Sequence, residues 1–187
     1  MLSNLNILIM SKTNNLVFNG VKIVSWIIFV GLCIEAGGLI VNFAFSLFNP
    51  DFVQNLYQKL DLSDMYSKNK WAFFSMYSFI LFISILKAFL FYIVIRLVTK
   101  INLEKPFNTY VAKQISLLSY YTLSIGLISY IARQSANYLQ HHGYDIDMLK
   151  QFWADSQAFI LMAAVVYIIA IIFSKGVEYQ DELEETV

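Results

Sequence analysis

Two charged residues stand inside otherwise apolar stretches: Glu35 in VKIVSWIIFVGLCIEAGGLIVNFAFSLF and Lys87 in WAFFSMYSFILFISILKAFLFYIVIRLV. A lone charge in hydrocarbon is costly and is kept where it pairs, binds or moves a proton. Glu35 lies 13 residues beyond Lys22, about 20 Å along a helix, and Lys87 lies nine residues before Arg96, about 14 Å. On antiparallel helices those depths differ by about one turn, which a lysine stem bridges, so the spacing predicts an intramembrane ion pair. Its structural reading is a buried pair that fixes helix register. Its functional reading is a centre that responds to a proton or a ligand.

Other residues offer weaker chemistry. Ser116, Tyr120 and Ser124 recur at four-residue spacing, with Ser119 and Tyr121 nearby. That stripe is expected to face the bundle interior, as interhelical hydrogen bonding or as one wall of a polar cavity beside Glu35 and Lys87. Ser84 and Lys87 share the S-x-x-K spacing of acyl-transfer dyads. An oxyanion donor set is missing from the sequence pattern, and Glu35 would keep Lys87 protonated, so no catalytic residue is assigned. His141, His142, Asp145 and Asp147 cluster in one loop, but adjacent histidines share a metal poorly and no other histidine exists. No metal and no cofactor is expected. Glu178, Asp181, Glu182, Glu184 and Glu185 crowd the end of the chain. They read as a solvated helix end or as a contact for a basic partner.

The elements that must carry these residues are plain from composition. Of 187 residues, 58% are hydrophobic and only 14% charged, against about 25% charged in a soluble domain. That excludes a soluble enzyme, a disordered regulator and a basic nucleic-acid binder. Net charge is zero and there is one cysteine, Cys33, so no intrachain disulfide forms. Four apolar segments, about 21–48, 71–98, 112–135 and 157–175, reach or approach the roughly 20 residues needed to cross a bilayer. The expected fold is all-α: a four-transmembrane-helix bundle occupying 1–187 as one domain, with 177–187 an acidic cytoplasmic tail. Residues 1–20 lack a basic leader, are interrupted by Asn4 and Asn6, and read as a cytoplasmic or interfacial lead-in.

Four spans put both termini on one side. Lys12, Lys22, Arg96, Lys100, Lys105, Lys113 and Lys175 fall on that side, against Lys59, Lys68, Lys70, Arg133 and Lys150 on the other. The excess places both termini in the cytoplasm. In the outer loops, Phe52, Val53, Leu56 and Leu60, and then Met148, Leu149, Phe152 and Trp153, recur at helical spacing. Short interfacial helices are expected there, capping the bundle, with Trp71 and Trp153 as interfacial anchors.

Two motifs carry a family resemblance. Ile101-Asn102-Leu103-Glu104-Lys105-Pro106-Phe107-Asn108 precedes the third span, and Phe173-Ser174-Lys175-Gly176-Val177-Glu178-Tyr179-Gln180 closes the fourth. They resemble the bacterial membrane family called domain of unknown function 2975, with its Pro-Phe turn and its F-x-x-G-x-x-x-Q ending followed by acids. Glu104-Lys105 stands where a glycine is frequent, and Tyr179 where leucine is frequent. Pro106 is expected at the start of the third helix. The resemblance implies a bacterial cytoplasmic (inner) membrane protein of no known enzymatic activity. It also implies a cytoplasmic DNA-binding partner, a small helix-turn-helix regulator, met by the acidic tail. The leading expectation is therefore a non-enzymatic regulatory or sensory protein whose partners are the lipid bilayer and that regulator, with no direct contact to nucleic acid. The runner-up is a small transporter or channel subunit that uses the Glu35–Lys87 core and works as a homo-oligomer.

Overall fold

A computed structural model describes residues 2–49, 53–54, 56–57, 60–102 and 106–185, with side chains described from residue 16 to residue 183 within those ranges. Among the described residues five α-helices follow one another: α1 (Leu2–Phe48), α2 (Ser63–Lys68), α3 (Lys70–Lys100), α4 (Thr109–His141) and α5 (Ser156–Glu185). A 3₁₀ helix, Asp147–Phe152, stands between α4 and α5. Helices α1, α3, α4 and α5 each hold a segment long and apolar enough to cross a membrane. The fold is all-α, and the chain is a multi-pass membrane protein.

The helix boundaries follow from local chemistry. The Asn69 side chain accepts hydrogen bonds from the backbone of Trp71 (2.9 Å) and Ala72 (3.4 Å), capping α3. Asn108 does the same for α4, accepting from Val111 N–H at 2.9 Å. Pro106 therefore does not begin that helix, because the asparagine two residues later supplies the cap oxygen that proline lacks. At the other end of α4, Gly143 takes φ +82°. Gly143 N–H then reaches Gln140 O (3.0 Å) and Tyr144 N–H reaches Leu139 O (3.2 Å), a Schellman closure. Asn4 and Asn6 do not interrupt α1, which runs unbroken through the expected lead-in for 47 residues, about 70 Å.

The four long helices pack in chain order: α1 on α3, α3 on α4, and α4 on α5, the last contact being the most extensive. The two outer helices bury little: 17% of the apolar window in α1 and in α5, against 39% in α4. Their exposed Ile, Val and Leu side chains form a surface suited to lipid rather than water.

The largest core lies where the α1–α3 and α4–α5 connections close over the bundle. Val53, Leu56, Leu60, Leu62 and Met65 are buried together with Phe73, Met76, Tyr77 and Ile80 of α3, Ala132 and Ala136 of α4, and Ile146, Leu149 and Phe152 of the second loop. The loops are thus part of the core. Lys68 ties them to each other: its Nζ meets Asp64 at 2.9 Å, donates to Gly143 O at 3.0 Å and stands over the Tyr144 ring. Asp61 accepts from Ser63 N–H at 2.9 Å. Hydrogen bonding by Ser63, side chain and backbone, holds the Asp61 carboxyl below its ordinary range.

The expectation for the second outer loop is met by the 3₁₀ helix. In the first, Val53, Leu56 and Leu60 are buried as their spacing suggested, while Asp51 and Phe52 lie outside the described residues. The regular helix there is α2, a few residues later. Trp71 is 84% exposed, as an interfacial anchor requires, but Trp153 is only 3% exposed. The 3₁₀ helix turns Trp153 inward, so it fills the core instead.

Candidate functional site

Two regions gather the residues that can do chemistry. The first is at mid-height between α1 and α3. Tyr77 donates its hydroxyl proton to Leu39 O (3.1 Å), and the rings of Phe29 and Tyr92 meet at 6.1 Å. These contacts bracket Glu35 and Lys87 on antiparallel helices and put both charges in one layer, as their depths predict. Both are half-buried. They do not pair: the side-chain ion pairs among the described residues are Lys68–Asp64, Lys150–Asp147 and Lys175–Glu178. Depth is set by spacing along the helix, whereas pairing also needs the two helices rotated to face each other. The α1–α3 contact instead centres on Leu39, Phe43, Tyr77 and Phe74.

Lys87 continues the buried face formed by Ile80, Ile83 and Ser84. The Ser84 hydroxyl is buried without a hydrogen-bond partner. Ser84 and Lys87 share a face, as S-x-x-K implies, but no hydrogen bond joins them.

The hydroxyl stripe of α4 turns differently from expectation. Tyr120 is 54% exposed, and its ring lies against that of Tyr167. Ser116 and Ser124 bond back to Ala112 O and Tyr120 O on their own helix. The buried polar face is Ser119, Thr122 and Ser129, with Gly126 between. Ser119 donates to Ala163 O of α5 at 3.0 Å. A Cβ on Gly126 would stand 2.7 Å from Ile160 Cγ1 and 2.9 Å from its backbone nitrogen, so α5 sits directly on this face. The 3-4-3 spacing of Ser119, Thr122, Gly126 and Ser129 was the signal in the sequence for that close approach. Of the other glycines, Gly38 receives the Tyr57 ring, whereas a Cβ on Gly37 would meet open space.

The second region lies at the opposite end from the loop core. There the Pro106-Phe107 turn packs against the F-x-x-G segment of α5. The Phe107 ring meets the Phe173 ring at 5.3 Å and comes close enough to Gly176 that any Cβ there would strike it. The two segments that carry the family resemblance therefore form one joint. Beside it, Lys100 Nζ stands 4.8 Å from the Tyr110 ring centre, and the Arg96 guanidinium lies between the rings of Tyr92 and Tyr110. The Tyr110 hydroxyl and Gln114 Oε1, one turn apart on α4, are buried without hydrogen-bond partners among the described residues.

Beyond the joint, α5 stays helical to Glu185. Glu178 pairs with Lys175 at 2.6 Å, and Tyr179 and Leu183 are 63% and 69% exposed. Asp181 and Glu182 stand on the same turns; Glu184 and Glu185 belong to the helix, but their side chains lie outside the described ones.

His141 and His142 are exposed, and His142 Nδ1 lies 2.8 Å from Tyr138 O on its own helix. Among the described residues, no group of three or more His, Cys, Asp or Glu side chains is placed to hold a metal.

Comparison with known families places this geometry. The family described as "Protein of unknown function (DUF2975)" matches residues 56–187, well over half of the chain, and the chain belongs to it. The match takes in α2 to α5, including both halves of the Phe107–Gly176 joint. No curated protein and no solved structure matches the chain.

Proposed function

We propose that this protein is a non-enzymatic regulatory or sensory protein of the bacterial cytoplasmic membrane, with both termini in the cytoplasm, that engages a basic cytoplasmic partner through the end of α5. One observation carries the reading: α5 continues as helix for 30 residues, about 45 Å, when roughly 20 residues cross the hydrocarbon core. Its last turns therefore extend from the membrane as a rigid rod rather than a loose acidic tail. That rod bears exposed Tyr179 and Leu183 one turn apart, among Glu178, Asp181 and Glu182. An aromatic and an aliphatic anchor ringed by carboxylates is suited to a basic, grooved protein surface. A small helix-turn-helix regulator has such a surface.

The Phe107–Gly176 joint gives the rod a fixed root. A change in how α3, α4 and α5 pack would move the rod, which is the requirement for a sensor. Glu35 and Lys87, half-buried and in no ion pair among the described residues, also support the second reading, a transporter or channel subunit. Four helices packed in chain order would need a homo-oligomer to enclose a path.

The test is affinity capture from native membranes with the full chain and with a chain ending at residue 176. The proposal expects a small DNA-binding protein with the full chain only. Equal capture by both would end it, and ion flux in liposomes lost on Lys87→Met would favour the second reading.

A further inference from the structure

Between α1 and α3, on the side away from the loop core, runs an open groove of about 430 Å³. Phe29, Cys33, Ala36, Gly37 and Ile40 form one wall, and Ile85, Ala88, Phe89 and Tyr92 the other. It is almost wholly apolar, lies at the depth of the hydrocarbon core, and extends about 16 Å along α1 from Phe29 to Ile40 by helical rise. Cys33, Ile40, Phe89 and Tyr92 are exposed, so the groove opens to its surroundings.

One end is cationic on both walls. Lys22 continues the helical face of Phe29, Cys33, Ala36 and Ile40, two turns beyond Phe29. Arg96 continues the face of Ile85, Ala88, Phe89 and Tyr92, one turn beyond Tyr92, with its guanidinium 5.8 Å from the Tyr92 ring centre. Lys100 follows one turn later over Tyr110. None of the three forms an ion pair with a carboxylate among the described residues. The opposite end is apolar. An apolar channel with cations at one mouth is complementary to an amphiphile with an anionic head. The positive-inside bias accounts for cations at this end but not for their continuing the two helix faces that wall the groove, and a soluble anion gives no reason for the groove.

We propose that this groove is a binding site for one anionic phospholipid, its acyl chain lying between α1 and α3 and its phosphate held by Lys22, Arg96 and Lys100. The site is independent of any partner at α5. Gly37 supplies a clean way to close it. A Cβ there meets nothing within 4 Å, so a side chain at this lining position starts into open space, and glycine is a poor helix residue to begin with.

The experiment is native mass spectrometry of the detergent-purified full chain. It is titrated with phosphatidylglycerol, with phosphatidylcholine of the same acyl chains, and with glycerol phosphate. The expected result is one phosphatidylglycerol bound at least tenfold more tightly than phosphatidylcholine, and no glycerol phosphate at the same concentrations. The triple variant Lys22→Gln, Arg96→Gln, Lys100→Gln should bind the two lipids alike, and Gly37→Phe should weaken both at least fivefold. Thermal melting of each variant confirms that it is folded. Equal affinity for the two lipids in the wild type would overturn the proposal. So would glycerol phosphate binding as well as the lipid, unchanged binding in Gly37→Phe, or a dimer that Gly37→Phe abolishes, which would make the groove an interface between copies.

Discussion

Individual polar atoms in this protein divide into those that join helices and those that do not. The Tyr77 hydroxyl joins α3 to Leu39 O of α1 at 3.1 Å, so Tyr77→Phe should lose about 1 kcal/mol of stability. The Ser84 hydroxyl is buried with no partner, and Ser84→Ala should be neutral or stabilising. Melting of both variants in the same detergent checks the pair, and a large loss in Ser84→Ala would mean that the hydroxyl has a ligand. Gly126 lies under Ile160, so Gly126→Leu should overpack the α4–α5 contact and lower stability by roughly 1–3 kcal/mol. The same method reads it. Residue spacing revealed the shared depth of Glu35 and Lys87, because rise per residue is constant. It did not reveal that they stay apart, or that Tyr120 turns outward and Ser119 inward. Hydroxyls occur on both faces of α4, and only the position of α5 decides which face is inside.

Among the elements, α5 and the α1–α3 connection make separable predictions. A proline at Val177 should break the rod near its root while leaving every tail carboxylate in place. If the rod is the docking element, Val177→Pro should lose partner capture as completely as truncation at residue 176. If loose charge suffices, capture should persist. In the α1–α3 connection, Asp61 is held below its ordinary carboxylate range by Ser63. A lowered folded-state value contributes stability that is present above the unfolded value and lost as pH falls through the folded one. The melting difference between wild type and Asp61→Ala should therefore be small, since the site is exposed, and should vanish on acidification below the ordinary Asp range. The long helices were legible because hydropathy alone sets them. Their ends were less so: Asn108, not Pro106, caps α4, and α1 runs on through Asn4 and Asn6. The meeting of Phe107 with Gly176 was not legible either. Each motif could be seen, but their contact depends on the packing of two intervening helices.

For the molecule as a whole, the order α1–α3–α4–α5 leaves two lipid-facing edges and two unlike ends. One end is closed by loops and holds the main core. The other collects the two segments that carry the family resemblance, the cations Arg96 and Lys100, which form no ion pair among the described residues, and the root of the α5 rod. At the closed end only the side of Trp153 was not legible in the sequence: tryptophan is common both at membrane interfaces and in cores, and the 3₁₀ helix chose the core. On the proposed reading the two ends divide the work: the closed end stabilises, and the open end meets other molecules. The most direct measurement is photo-crosslinking in intact cells with a reactive side chain placed at Tyr179, and at Leu161 on the lipid face of the same helix as the control. The account predicts a discrete adduct with a soluble basic protein at position 179 and none at 161. No adduct at 179, or the same adduct at both positions, would contradict it.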